Sequence, residues 1–217
     1  MGRKRTLINT VKRRLNKQRR RVARTLITPR NIAVMVLLGG LGVATVMYMQ
    51  DSQKLYTADL LTTIAKVESK NNYNAYFGNA GNTSVQFTSM TVGEVLDWQK
   101  QFVAQGNPSS AVGRYQFIDS TLQGLVWQLK IDENTKFDEA LQDRLAVALL
   151  ERRGIRDYAN DKISREEFAH NLSKEWAALP RAIGDRPEQS YYAGDGLNKA
   201  QLSVDEMYRS IATIRKL

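Results

Sequence analysis

Glu68 is isolated among the acidic residues, because the next 25 residues of the chain contain no Asp or Glu before Glu94. It stands near the end of a stretch with helical character, residues 60–69, and a Tyr- and Asn-rich segment, residues 71–82, follows directly. A carboxyl at the C-terminal end of a helix meets the negative end of the helix dipole, which favours its protonated form. The sequence therefore predicts a general acid at Glu68, suited to protonating the leaving oxygen of a sugar.

Cleavage of a glycosidic bond usually takes two carboxylates, one as the acid and one that stabilises the sugar cation or activates water. The segment after Glu68 supplies no second carboxylate. Two routes remain open. A distant acid, Glu94, Asp97 or Asp119, can fold next to Glu68, or the substrate can supply the missing group through its N-acetyl group and its C6 hydroxyl. In the second route Glu68 acts first as acid and then as base.

A second candidate motif spans residues 109–117 and combines a glycine, an aromatic residue and an amide. Gly113 allows close backbone approach, Tyr115 offers an aromatic surface, and the Gln116 amide can bond the acetamido or hydroxyl groups of a sugar. A turn that leads into the next helix, with the aromatic side chain in the core, explains the same residues.

The elements that must position these residues are predicted to be mainly helical. A capping box at Thr91–Glu94 opens a helix that stops at residues 106–108, and the same pattern recurs at residues 164–167 and 203–206. The periodicity predicts a central core helix from Phe137 to Arg153, ended by Gly154.

Residues 71–88 interrupt this helical pattern, since their Gly and Asn residues favour turns between short extended pieces. We expect a small β-hairpin or an ordered loop that forms one wall of a cleft beside Glu68. The predicted fold class is mainly α, within an α+β arrangement.

The N-terminal part of the chain differs in charge from the rest. Residues 1–50 hold 12 of the 32 Lys and Arg residues and no acid, which leaves 20 basic against 22 acidic residues in 51–217. Residues 32–49 form an uncharged apolar run of 18 residues, which as a helix spans about 27 Å of a roughly 30 Å hydrocarbon core. The sequence predicts a transmembrane helix at 32–49, and a cleaved signal peptide fits poorly because the preceding basic region is too long.

The predicted organisation has four parts: a basic arm at 1–31, the transmembrane helix at 32–49, a connector at 50–56 and a catalytic domain at 57–217. The charge distribution places the N-terminus in the cytoplasm, or in a virion interior, and the domain on the other side of the membrane. The arm is a topology signal with some contact to anionic lipid, or it binds nucleic acid.

Composition excludes several classes of site. The chain has no cysteine, so neither disulfides nor cysteine metal sites are available. His170 is the single histidine and has no neighbours with zinc-ligand spacing, which argues against both a metal centre and a Ser-His-Asp mechanism. We expect no metal and no cofactor.

The order of several short blocks resembles the lambda-type phage endolysin, a lytic transglycosylase with a lysozyme-like fold. A helix-ending Glu68-Ser69 followed by a Gly-x-x-Gln stretch is typical of lytic transglycosylases. The similar blocks cover roughly residues 60–183: 64–68, 73–78, 87–88, 113–116, 151–154 and 176–180.

This resemblance implies cleavage of the β-1,4 bond between N-acetylmuramic acid and N-acetylglucosamine in peptidoglycan glycan strands, with 1,6-anhydro products and no cofactor. Glu68 matches the catalytic glutamate of the family, and Tyr115 and Gln116 match its saccharide-contacting motif. Gly113, in the same stretch, is a further candidate for substrate binding. A hydrolytic muramidase of the same fold and a non-catalytic wall-binding protein are the alternatives. Three further aromatic residues are candidate sugar contacts, with core packing as the alternative for each: Tyr73, Tyr76 and Trp176.

The predicted anchor and basic arm depart from this pattern, because lambda-type endolysins are typically soluble. A membrane-tethered wall enzyme would be either a lysis enzyme with its own anchor or a virion component that opens the wall during genome entry.

Overall fold

The computed structural model describes residues 57–214, and these residues form a mainly helical domain. Its first helix, α1, covers residues 57–69. In chain order the other helices are α2 (Val92–Ala104), α3 (Asp119–Leu129), α4 (Glu139–Arg152), α5 (Ile155–Ala159), α6 (Arg165–Ser173) and α7 (Val204–Ala212), with a short 3-10 helix at Phe87–Ser89.

The hydrophobic core is built around α4, the helix predicted to be central. Leu145, Ala146 and Leu150 are fully buried on it. They join one cluster with Ile64 of α1 and residues from every other long helix of the described chain. Burial of these apolar side chains supplies the main stabilisation of the domain. The core thereby holds α1, which carries Glu68, in a fixed place.

Side-chain caps begin the helices where the sequence predicts them. Thr91 and Glu94 form a reciprocal capping box at the start of α2, and Ser203 and Glu206 form another at the start of α7. Ser164 accepts a hydrogen bond from the backbone N–H of Glu167 at the start of α6. These contacts satisfy N–H groups that have no partner inside the helix.

Between α1 and α2 the sequence predicts a small β-hairpin or an ordered loop, and the structure shows the loop. Within residues 57–214 the structure contains isolated β-bridges, among them Tyr76 with Asn79 and Tyr76 with Val112, and no β-strand. The reason is that asparagine side chains bind the backbone in place of a strand ladder. The Asn82 amide donates to the carbonyls of Asn74 and Val85, and the Asn72 amide donates to the carbonyls of Ala80 and Asn82. The segment is an ordered loop.

The predicted membrane span is also corrected. Among residues 57–214 no helix is both long enough and apolar enough to cross a bilayer. The longest, α4, has 14 residues and exposes a polar face, whereas a span needs about 20 apolar residues. The arm at 1–31, the span predicted at 32–49 and the connector at 50–56 lie outside the described residues. The fold class with a transmembrane helix and the single-pass membrane location are therefore not supported.

Candidate active site

Glu68 lies in the last turn of α1 and opens into a cleft of about 420 Å³. The asparagine-rich loop after α1 supplies part of the wall of this cleft, as the sequence predicts. Eight residues line the cleft: Glu68, Lys70, Tyr76, Gly78, Asn79, Ala80, Gly81 and Gln116. The structure therefore brings together three of the predicted site residues, namely Glu68, Tyr76 and Gln116.

The Glu68 side chain is partly buried, and this environment controls its charge. Burial removes water from the carboxyl and raises its pKa from 4.5 to about 7. The backbone N–H of Ala178 donates to Glu68 Oε1 at 3.0 Å and acts in the opposite direction, because this bond favours the charged form. With a pKa close to neutral pH, the group can both give and take a proton under ordinary conditions.

Tyr76 supports the loop wall from within. Its ring packs in an aromatic cluster with Trp98 and Phe102, at centroid distances of 5.4 and 5.5 Å. Its hydroxyl oxygen accepts a hydrogen bond of 3.0 Å from the Asn79 side chain. Tyr76 is thus anchored on one side by packing while the rest of its side chain faces the cleft.

Gln116, in the loop before α3, lines the same cleft as Glu68. Its backbone is left-handed, with φ of +51°, a conformation that is uncommon outside glycine. Its side-chain amide donates to the carbonyl oxygen of Gly113 at 2.9 Å. The side chain is held by its own turn, and one carbonyl oxygen and one N–H remain to bind a ligand.

Two buried glutamines hold this loop in place, and sequence analysis missed both. Gln142 on α4 accepts from the backbone N–H of Arg114 at 2.9 Å and donates to the carbonyls of Tyr73 and Phe137. Gln99 on α2 donates to the carbonyls of Ser110 and Phe117, both at 2.8 Å. Both lie inside helices, where nothing in the sequence separates a buried amide from a solvated one.

Gly113 serves packing in this arrangement. The residue is buried, its φ is +79°, and a Cβ added there would lie 2.5 Å from Gln142 Oε1. Only glycine lets the loop approach the Gln142 amide this closely. The sequence predicts a close backbone approach at Gly113. In the structure the Gly113 backbone makes this approach to the Gln142 side chain, inside the protein.

Ser69 ties the end of α1 to the same loop. Its hydroxyl is fully buried, 2.7 Å from the carbonyl oxygen of Arg114 and 3.0 Å from that of Ala65. The residue next to Glu68 is therefore fixed to the loop that presents Gln116. This contact gives the Glu-Ser pair of the sequence a positional role.

Tyr73 and Tyr115 belong to a polar network centred on Asp143 of α4, a residue that sequence analysis also missed. The two hydroxyls donate to Asp143 Oδ1 at 2.9 and 2.7 Å, and Arg114 Nη1 lies 3.3 Å from the same oxygen. Burial and the Asp143 carboxylate raise the pKa of Tyr73 to about 12 and raise that of Tyr115 as well. Tyr115 is only 1% exposed, which argues against direct contact with a sugar.

Trp176 also lies in the core, at 2% exposure. Its indole N–H donates to the carbonyl oxygen of Tyr115 at 3.3 Å. The segment that follows supplies Ala178, whose N–H binds Glu68. Trp176 therefore acts on the cleft indirectly, by placing the backbone that contacts the acid.

The distant acids considered as partners for Glu68 lie elsewhere. Glu94 caps α2, Asp97 pairs with Lys100, and Asp119 accepts from the Ser110 hydroxyl. Among the described residues that line the cleft, Glu68 is the only acidic one. Within residues 57–214 no three His, Cys, Asp or Glu side chains converge as a metal site.

These features define a class of small helical domain in which an open cleft holds one buried carboxyl of raised pKa. The chain matches the family model described as Endolysin over residues 58–199, well over half of its length, and so it belongs to the endolysin family. It is accordingly a phage enzyme that degrades the peptidoglycan of the bacterial cell wall. Comparison with curated proteins and with solved structures gave no match.

Proposed function

We propose that this endolysin is a lytic transglycosylase with Glu68 as its catalytic residue. It would cleave the β-1,4 bond between N-acetylmuramic acid and N-acetylglucosamine and release 1,6-anhydro products. One observation carries the proposal: the cleft contains a single carboxyl, with a pKa of about 7, and no second acid among its described lining residues. A site of this kind lacks the partner that a two-carboxylate mechanism needs.

The chemistry follows from the proton on Glu68. The protonated carboxyl donates its proton to the leaving O4 of N-acetylglucosamine as the bond from C1 of N-acetylmuramic acid breaks. The N-acetyl group of the substrate stabilises the positive charge that develops at C1. The Glu68 carboxylate then removes the proton of the C6 hydroxyl, and O6 forms the new bond to C1. Glu68 regains its proton, and no water is consumed.

The remaining residues divide between contact and support. Gln116, Tyr76 and Asn79 line the cleft with Glu68 and are suited to bind hydroxyl and acetamido groups. Gly113, Tyr73, Tyr115 and Trp176 are the predicted contacts that support this wall from behind. The burial of Gly113, Tyr115 and Trp176, together with the hydrogen bonds of Tyr73, Tyr115 and Trp176, suits them to keep the loop at 109–117 rigid.

A hydrolytic muramidase of the same fold is the second candidate. The Glu68 side chain is partly exposed and its cleft is open, so water has access to the reacting carbon. The Glu68 carboxylate would then activate water in place of the C6 hydroxyl. The two reactions share the first step and differ in which oxygen attacks C1.

The decisive experiment is mass spectrometry of the fragments that the full chain releases from purified peptidoglycan. Transglycosylase action gives muropeptides with anhydro ends, which are lighter by one water than the reducing ends that hydrolysis leaves. Anhydro ends are expected. Fragments with reducing ends alone would exclude the transglycosylase and support the muramidase.

The role of Glu68 is tested with a matched pair of variants. Glu68→Gln removes the transferable proton and keeps the shape, so release of fragments should fall at least a thousandfold. Glu94→Gln changes an exposed acid whose capping role glutamine can also fill, and should stay active. An active Glu68→Gln variant would remove Glu68 from the mechanism.

A further inference from the structure

Lys70 places a positive charge in the cleft, two residues beyond Glu68. Its side chain is exposed to solvent and lines the same cavity as Glu68 and Gln116. Among the described lining residues it is the only basic one. The mechanism derived above makes no use of it.

No ion pair within the described part of the chain neutralises this charge. The ion pairs of residues 57–214 involve Lys100, Arg114, Arg153, Arg156, Lys162 and Arg165, and none includes Lys70. Glu68, the acid of the same cleft, is largely protonated below its pKa of about 7. The cleft therefore offers an uncompensated cation to whatever enters it.

The backbone at Lys70 adopts the left-handed conformation that commonly ends a helix. Its φ is +55°, and Asn71 after it has a φ of +64°. A glycine would adopt the left-handed conformation at lower cost after a helix. The Asn71 N–H donates to the Ala65 carbonyl oxygen at 3.1 Å, so the turn that carries Lys70 is hydrogen-bonded to α1.

We propose that Lys70 is a specificity residue that binds a carboxylate of the glycan substrate. This proposal rests on the proposed function. Peptidoglycan carries carboxylates on its peptide stems, and on the lactyl group of N-acetylmuramic acid wherever the stem has been removed, whereas a strand of N-acetylglucosamine alone has none. A lysine ammonium in the cleft binds such a group through a charge-assisted hydrogen bond. Lys70 thereby favours anionic wall glycan over neutral glycans of the same backbone.

The test measures dissociation constants in the full-length Glu68→Gln background, so that every strand stays intact. Three ligands are compared: peptide-bearing strands, strands stripped of peptide, and stripped strands whose carboxyls are reduced to alcohols. Lys70→Met should raise the dissociation constant of carboxylate-bearing strands about three- to tenfold and leave that of reduced strands unchanged. An effect on stripped strands assigns the lactyl carboxylate, and an effect confined to peptide-bearing strands assigns the stem.

Three companion variants separate recognition from structure. Lys66→Met removes an exposed lysine one turn earlier on α1, outside the cleft, and should bind as the parent does. Lys70→Arg should restore binding of charged strands. Lys70→Gly should adopt the left-handed backbone at lower cost, so its thermal midpoint should not fall, while its affinity falls as in Lys70→Met.

Two results would overturn the proposal: equal weakening of charged and reduced strands by Lys70→Met, or no weakening of either. Failure of the proposed function would look different. In the protein with Glu68 intact, an absence of anhydro products would contradict the proposed transglycosylase reaction and not the role of Lys70. The Lys70→Met variant of that protein should form the same products as the parent, at a similar kcat and with a higher KM.

Discussion

The chemistry proposed for this endolysin depends on one carboxyl and on two opposing influences on its charge. Burial holds the proton on Glu68, while the Ala178 N–H favours the ionised form. The balance leaves the pKa at about 7, in the range that suits a group that must act as acid and then as base. A single residue can thus serve both steps because its surroundings favour neither state strongly.

The pH dependence of activity follows from this pKa. Proton donation requires the neutral carboxyl, so kcat/KM should fall as the pH rises through about 7, with a tenfold loss per pH unit well above it. Initial rates on soluble peptidoglycan fragments between pH 5 and 9 would measure the profile. A flat profile between pH 6 and 9 would contradict Glu68 as the proton donor.

The same pKa shift affects stability. Because the folded-state pKa is raised, the folded protein binds more protons than the unfolded chain between about pH 4.5 and 7, and stability is lost as the pH rises through that window. Glu68→Gln removes the charge that is costly to bury. We expect the variant to be more stable than the parent by about 1–3 kcal/mol at pH 8, with little difference at pH 4. Urea unfolding at both pH values measures this, and an equal change at each would contradict it.

At the scale of elements, the helices follow from local sequence and the cleft does not. Capping residues such as Thr91 and Ser203, and the periodic apolar residues of α4, act over a few positions and can be recognised along the chain. Gln142 and Asp143 are adjacent on α4, yet they organise two different contacts behind the cleft. Their roles depend on loops far away in sequence, which no local pattern encodes.

The predicted sugar contacts show the same limit. Tyr76 and Gln116 face the cleft, whereas Tyr115 and Trp176 are buried. In the sequence, an aromatic residue of the core looks the same as one that contacts a glycan, because both roles use its large apolar surface. Only the packing around it distinguishes the two.

A pair of glycines tests the element that presents Gln116. Gly113→Ala places a Cβ 2.5 Å from Gln142 Oε1 at a φ of +79°, and should lower the free energy of unfolding by about 2–4 kcal/mol. Gly124 is exposed inside α3 and has open space around it. Gly124→Ala should therefore raise the free energy of unfolding by about 0.5–1 kcal/mol. Chemical denaturation of both variants gives the comparison. Similar effects at the two sites would contradict the packing role of Gly113.

At the scale of the whole described domain, the fold extends beyond the matched family region. The family model ends at residue 199, but α7 at Val204–Ala212 buries Met207 and Ile211 completely and packs against α6. The α7 helix therefore belongs to the same hydrophobic core as α1, the helix that carries Glu68. Its contribution is to stability rather than to the cleft lining.

This role predicts a contrast within α7. Met207→Ala leaves a cavity in the core and should lower the free energy of unfolding by about 2–5 kcal/mol, with kcat unchanged at temperatures where the protein stays folded. Arg209 is exposed on the same helix, and Arg209→Ala should change the free energy of unfolding by no more than about 0.5 kcal/mol. Thermal unfolding checks both. A neutral Met207→Ala would show that α7 is dispensable to the core.

The hydrogen bond from Ala178 to Glu68 joins residues 110 positions apart in the chain. During synthesis, Glu68 leaves the ribosome long before Ala178 does. A nascent chain that has released α1 and its loop still lacks the backbone N–H and the Trp176 side chain that complete the acid's surroundings. A chain that ends before Ala178 would therefore lack part of the surroundings that set the charge of Glu68.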